Sequence, residues 1–234
     1  MDPKHQIDDG CNLQHIYEAD APVFRDIIDH PSWYSLVEHY MGRGTPFMHE
    51  LFLNIRGPGG YIGLHSGGPN FSGRGWGLTA AGDKPAGVSN PPEVEWSVGY
   101  MSIIIALKDI GPGDGATALL PGSHKSMISH PDQQQMVTEG SLVTGAEEMY
   151  LRAGDALLFN DSLCHGSVAR INEGERRVLC FRYLPKETAT NRWGYKPSDR
   201  LMAQLTPRQR DILTERDYQQ TENSHVPPTK LAKL

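Results

Sequence analysis

The chain has 234 residues, a net charge of −6, 38% hydrophobic and 21% charged residues, the balance of a globular protein large enough for one domain, with or without a tail. Its acidity disfavours a general role on nucleic acid or membrane surfaces. No apolar run reaches the ~18 residues of a membrane helix, and Met1 to Asp9 is too polar for a secretory leader. The three cysteines, Cys11, Cys164 and Cys180, contain no CxxC pair. That argues against a disulfide scaffold or a zinc ribbon and favours a reducing, cytoplasmic setting.

In chain order, Val23 to Asp29 is a short apolar-periodic run. Pro31 stands where an N1 proline would, and Trp33, Leu36, Val37 and Tyr40 recur at helical spacing until Gly42. Residues 1–45 thus read as a helical segment packing on the core. Met48 to Arg56 reads as a strand, Gly57-Pro58-Gly59-Gly60 as a turn, and Tyr61 to His65 as a second strand. Ser66 to Glu95 is rich in Gly, Pro, Asn and Ser and too long for an ordinary connection. Loops of that length are usually functional lids or disordered, and 66–96 is expected to be a lid. Ser97 to Leu107 is a nearly continuous apolar run, as a buried central strand requires. Gly111 to Gly115 is a turn and Ala116 to Leu120 a short strand. Met149 to Arg152, Ala156 to Asn160, Cys164 to Arg170 and Arg177 to Leu184 are further strands. Short strands at this spacing predict a mainly β domain over 46–185, a sandwich or barrel with flanking helices. Residues 186–234 form a polar extension. Thr206-Pro207 opens a helix to about Arg216, and Pro227 to Leu234 is a loose tail.

Two of the ten histidines stand out by context. His65 ends a strand at the mouth of the long loop, and His165 lies between two strands. A non-haem iron site needs two imidazoles and usually one carboxylate, with positions left open for a co-substrate and O2. A buried arginine would supply a bidentate fork for a carboxylate. Arg176 and Arg177 come 11 and 12 residues after His165. Alternation does not choose between them, because one face carries Leu179 and Phe181 and the other Val178 and Cys180. Taken singly, a histidine at a strand end is more often a cap or an exposed side chain, and an Arg-Arg pair a solvated strand end.

The pieces together reach further. Ile105-Ala106-Leu107-Lys108-Asp109, Asp114-Gly115, Pro121-Gly122-Ser123-His124-Lys125, Gly154 to Phe159, His165-Gly166-Ser167 and the Arg176 strand ending in Tyr183 resemble, in order and spacing, the phytanoyl-CoA dioxygenase family. Val23 to His65 looks like the approach to that family's first iron ligand, and the resemblance runs from about Phe24 to Pro185. It implies a double-stranded β-helix, also called a jelly roll and cupin-like, that binds Fe(II) and 2-oxoglutarate. By position, His65 and His165 are the implied iron ligands. Arg176 matches the 2-oxoglutarate arginine better than Arg177, and Ser167 matches a hydroxyl that assists it. His124 matches a turn residue outside the metal site.

The sequence departs from the family where His-x-Asp is expected, because His65-Ser66-Gly67 supplies no carboxylate. The family's N-terminal helical segment is also short here. Asp83, Glu93 or Glu95 could fold back from the loop, although solvated loop charges are the plainer reading of all three. Alternatively, the place at Gly67 resembles that of iron-dependent halogenases, where chloride binds instead. A hydroxylase-like branch that tolerates water there is the simpler account. A cupin-like binding module or sugar isomerase would share the strands but has no use for Arg176. The expected activity is oxidation of an aliphatic C–H in a small-molecule metabolite. Asn70, Phe71, Trp76 and Trp96 are the candidates for the lid and substrate wall. The acidic chain offers no evident basic site for a coenzyme A thioester beyond Arg74 and Lys84. No partner beyond a small molecule is implied, neither nucleic acid nor membrane, and oligomeric state is not readable.

Overall fold

The apolar runs become two antiparallel sheets in the computed structural model, which describes residues 10–41, 45–65, 77–80, 94–97, 100–125, 130–131, 140–186 and 195–215, the segments 77–80 and 94–97 by backbone alone. The larger sheet orders its strands β1 (Gly10–Gln14), β2 (Pro46–Arg56), β11 (Arg176–Pro185), β6 (Met101–Ala106) and β9 (Ala156–Asn160). The smaller orders β3 (Ile62–His65), β10 (His165–Ser167), β7 (Thr117–Leu119) and β8 (Glu147–Met149). Beside them, β4 (Gly77–Ala80) pairs with β5 (Val94–Ser97). The apolar Met-Ser-Ile-Ile-Ile-Ala run of β6 lies between β11 and β9, so a continuous apolar run marks an interior strand.

Several boundaries differ from the expectation. The run from Ser97 is split: Ser97 ends β5, and β6 starts at Met101. The β4–β5 pairing falls within the segment read as an unbroken loop, because Val94-Glu95-Trp96-Ser97 has strand chemistry of its own. The strand expected over Met149 to Arg152 is β8, displaced by its register on β7, and Leu151 makes only a bridge to Ile110. Past β10 the chain likewise keeps a single bridge, from Arg170 to Asp114. β1 carried no apolar alternation. It is an exposed edge strand held on β2 by the backbone ladder and by the Asn54 side-chain amide, which donates to Asn12 Oδ1 at 2.8 Å.

One face of the larger sheet is covered by α1 (Pro22–Asp26), which continues as a 3-10 turn (Ile27–Asp29), by α2 (Tyr34–Met41), and by two C-terminal helices, α3 (Asp199–Gln204) and α4 (Pro207–Leu213). α4 starts at the Thr206-Pro207 signal, where Thr206 and Gln209 cap each other reciprocally. α3 was hidden by its polar sequence and is capped by Ser198. The Tyr183 hydroxyl donates to the Ile28 carbonyl at 2.9 Å and the Gln209 amide to Asp29 at 2.8 Å, which ties both chain ends to the sheet. Ile28, Val37, Leu51, Ile103, Phe181 and Ile212 are fully buried in this layer. We expect Leu51→Ala to destabilise the protein by about 3 kcal/mol through lost burial and a residual cavity. The fall in thermal midpoint measures it, and a change within error would mean that the helices do not seal this face.

Among the described residues no helix is long and apolar enough to cross a membrane. The three cysteines are free thiols.

Candidate metal and co-substrate site

The other face of the larger sheet meets the smaller sheet around a cavity of about 230 Å3. Parity decides what lines it. On β11 the even positions Arg176, Cys180 and Arg182 face the cavity, while Leu179 and Tyr183 face the helices. The smaller sheet contributes Ile62, His65, Thr117, His165 and Ser167.

His65 and His165 are register partners across β3 and β10. Their ring centroids lie 4.2 Å apart. Each ring pairs its Nδ1 with the carbonyl two residues back, His65 with Gly63 at 2.8 Å and His165 with Leu163 at 2.6 Å. A carbonyl only accepts, so both Nδ1 atoms are protonated donors and the ring lone pairs sit on Nε2, the atom a metal takes. His65 is exposed at the mouth and His165 buried. Burial first, and then the neighbouring His65 ring, hold His165 below the ordinary imidazole pKa, in the neutral form that ligates.

The Pro121-Gly122-Ser123 turn explains how β10 is held. Gly122 adopts φ +81°, which a side chain disfavours. The Ser123 hydroxyl then accepts from the Cys164 amide at 2.7 Å, and Leu120 donates to the Cys164 carbonyl at 2.9 Å. The turn thus clamps the residue preceding His165. His124 lies in the adjoining 3-10 turn, Ser123–Lys125.

Arg176 is buried at the far end. Its Nη1 donates to Asn54 at 3.1 Å and Nη2 to Thr117 at 3.0 Å, and Nε has no partner. Directly opposite on β2 stands Arg56, 0% exposed, which sequence reading missed. Its Nη1 donates to Ser167, and Nε and Nη2 have no partner. Burial, with Arg176 beside it, lowers Arg56 to about 10, and burial also lowers Arg176; a guanidinium is basic enough to keep its charge in proteins. Ser167 Oγ also accepts from the Ile62 amide at 3.0 Å. With both acceptor positions used, the Ser167 hydroxyl can only donate. Arg176 and the Ser167 hydroxyl therefore line the cavity with Arg56 buried beside them, and among the described residues neither cation has a carboxylate partner. That arrangement calls for an anion.

Arg177 does not belong to this end. Its side chain is exposed and pairs with Glu175 at 2.6 Å, which corrects its candidacy as a cofactor residue. Of the two arginines Arg176 is the one that lines the cavity, sharing the parity of Cys180 and Arg182, which alternation alone could not order.

Gly67, Asn70, Phe71, Arg74, Trp76, Asp83, Lys84 and Glu93 lie outside the described residues, and Glu95 and Trp96 are described by backbone only. Among the described residues no three His, Cys, Asp or Glu side chains group to hold a metal. Two imidazoles with aligned tautomers and the carboxylate-free Arg176 on one cavity nevertheless fit a divalent metal together with a carboxylate co-substrate. Sequence reading also missed a polar cluster beside His165, made of buried Asp161, Glu50 and Ser102 and half-buried Arg182. In sequence Asn160-Asp161-Ser162 signals only a turn.

The fold is the double-stranded β-helix of iron- and 2-oxoglutarate-dependent oxygenases. It is similar to HygX from Streptomyces hygroscopicus, solved with nickel and 2-oxoglutarate bound, with TM-score 0.58 and 20% identity over 76% of this chain and 70% of that one. The same protein solved with hygromycin B also bound gives TM-score 0.58 at 22% identity, over 79% of this chain and 72% of that one. EctD from S. alaskensis, with 2-oxoglutarate and 5-hydroxyectoine, gives 0.54 at 18%, over 75% and 56%. At these identities the likeness is one of fold. Residues 5–178 match the phytanoyl-CoA dioxygenase (PhyH) family, and the chain belongs to that family of 2-oxoglutarate-dependent dioxygenases. A curated relative, dioxygenase trt7 of Aspergillus terreus (strain NIH 2624 / FGSC A1156), is 32% identical over 85 residues, 36% of this chain and 27% of that protein. The match thus spans about a quarter of that relative's length.

Proposed function

We propose that this protein couples Fe(II), 2-oxoglutarate and O2 to the oxidation of an aliphatic C–H in a small-molecule metabolite. The observation that carries the reading is two register-paired imidazoles and one buried, carboxylate-free guanidinium, Arg176, lining one cavity. His65 and His165 would hold the iron through Nε2. Arg176 would clamp the distal carboxylate of 2-oxoglutarate, with the Ser167 hydroxyl donating beside it. Bound iron, with the co-substrate and O2, supplies an oxidation that yields succinate, CO2 and, in the hydroxylase reading, a hydroxylated product. The residues themselves orient and desolvate: Phe52, Ile62, Ile104 and Phe159 give the cavity an apolar wall suited to an aliphatic substrate. Asn70, Phe71, Trp76 and Trp96 remain the proposed cover.

A second reading rests on Gly67, which leaves no carboxylate at the family's usual place. A chloride there would make the enzyme a halogenase. One experiment addresses both readings. Anaerobic Fe(II) and 2-oxoglutarate are added to the metal-free chain, and the weak visible charge-transfer band is followed without and with chloride or bromide. We expect the band to form, and succinate to appear once O2 is admitted. No band and no succinate would defeat the oxygenase reading. A halide-independent band would remove the halogenase.

A further inference from the structure

We propose that Asp161 supplies the negative charge that the iron site lacks at position 67, acting from just outside the ligand set. The inference rests on the iron site proposed above. Asp161 is buried on the turn between β9 and β10, four residues before His165. Its backbone amide donates to the Tyr100 carbonyl at 2.9 Å, and its Oδ1 accepts from the Ser102 hydroxyl at 2.8 Å, so the carboxylate is fixed. Oδ1 lies 3.8 Å from His165 Nε2. That nitrogen carries the lone pair, because Nδ1 is committed to the Leu163 carbonyl. The carboxylate therefore faces the place where a cation would bind.

A structural salt bridge to Arg182 is the competing explanation, and the distances weigh against it. Arg182 Nη1 donates to Glu50 at 2.9 Å, whereas Arg182 Nε is 3.8 Å from Asp161. Glu50 is the tight partner, and Asp161 stands as near to His165 as to Arg182. His49 shares a hydrogen bond with the Tyr100 hydroxyl at 2.6 Å and lies 3.7 Å from Glu50. Asp161, Glu50 and Arg182 together carry one negative charge. A ligating carboxylate would bring the same charge to the metal. A buried charge held beside a metal ligand tunes affinity without joining the ligands.

The test is Fe(II) affinity of the full chain, measured anaerobically against a competing chromophoric chelator in chloride-free buffer. Circular dichroism and thermal melting check the fold of each variant. Asp161→Asn is expected to weaken Fe(II) binding about 10- to 100-fold. Asp155→Asn, which removes a carboxylate from a surface turn, should leave it unchanged. Arg182→Gln, which removes the cation shared by Glu50 and Asp161, should tighten binding. Equal affinity in folded Asp161→Asn overturns the proposal, as does weaker or unchanged binding in Arg182→Gln. The second variant keeps the test decisive should the first not fold. Absence of Fe(II) binding by the unmodified chain would overturn the iron site together with this inference. Binding there with an unmoved Asp161→Asn overturns this inference alone.

Discussion

His165→Ala is expected to abolish Fe(II) binding and to lower 2-oxoglutarate turnover by about a thousandfold or more, the effect of removing roughly 4 kcal/mol of metal-derived stabilisation. The backbone of β10 stays paired, because its bonds to β3 and β7 do not use the imidazole. The fold loses the Nδ1 bond to Leu163 and an edge contact with Phe159 at 4.8 Å, a change of about 1–2 kcal/mol. His39→Ala, on the exposed side of α2, should leave metal binding and turnover unaltered. Metal titration, succinate formation and melting of the three proteins separate the outcomes. Retained Fe(II) affinity in folded His165→Ala would exclude the histidine pair as the metal site.

Arg176→Met should raise the apparent KM for 2-oxoglutarate by about 30-fold to several thousandfold, corresponding to roughly 2–5 kcal/mol for losing one side of a buried charge-assisted contact. The ligand-free protein is expected to melt no lower, and even higher. Arg176 and Arg56 are adjacent buried cations with no carboxylate partner among the described residues, so removing one relieves repulsion and an unmet desolvation cost. The rise in melting temperature on adding 2-oxoglutarate, strong in the unmodified protein, should vanish. Arg176→Lys will not rescue it, because a point charge cannot bridge Asn54 and Thr117 while facing a carboxylate. Arg177→Met, which breaks an exposed pair with Glu175, should change neither quantity. Equal effects of Arg176→Met and Arg177→Met would remove Arg176 from the co-substrate end.

Strands such as β6 and β11 were legible because they are apolar enough to show their period, and the order of short motifs, His165-Gly166-Ser167 among them, pointed to the family. His65 and His165 could be singled out by their places at strand ends. Their meeting could not, since pairing register is a long-range property that no local pattern encodes. Arg56 was invisible for a different reason. It stands before Gly-Pro-Gly-Gly and reads as a solvated strand end until β11 is laid against it. Asp161 sits in a turn sequence whose ordinary meaning is exposure, and only the neighbouring β6, through Ser102, turns it into a buried charge. Edge strand β1 and helix α3 had no apolar stripe to show. Both are held by partners far away in sequence, β1 by β2 and α3 by Glu18, which accepts from the Ser198 hydroxyl at 2.6 Å.

β11 gives the two halves of the molecule a common wall with a different duty on either side. Its odd positions Leu179 and Tyr183 belong to the helical layer, while Arg176, Cys180 and Arg182 belong to the cavity and Phe181 reaches both. Neighbours along such a strand point in opposite directions and share few partners, so changes on one parity combine nearly independently with changes on the other. A lineage can therefore alter what it accepts as substrate through the even positions while the odd ones go on holding the chain together. A single ten-residue segment makes ligand preference and folding separately adjustable.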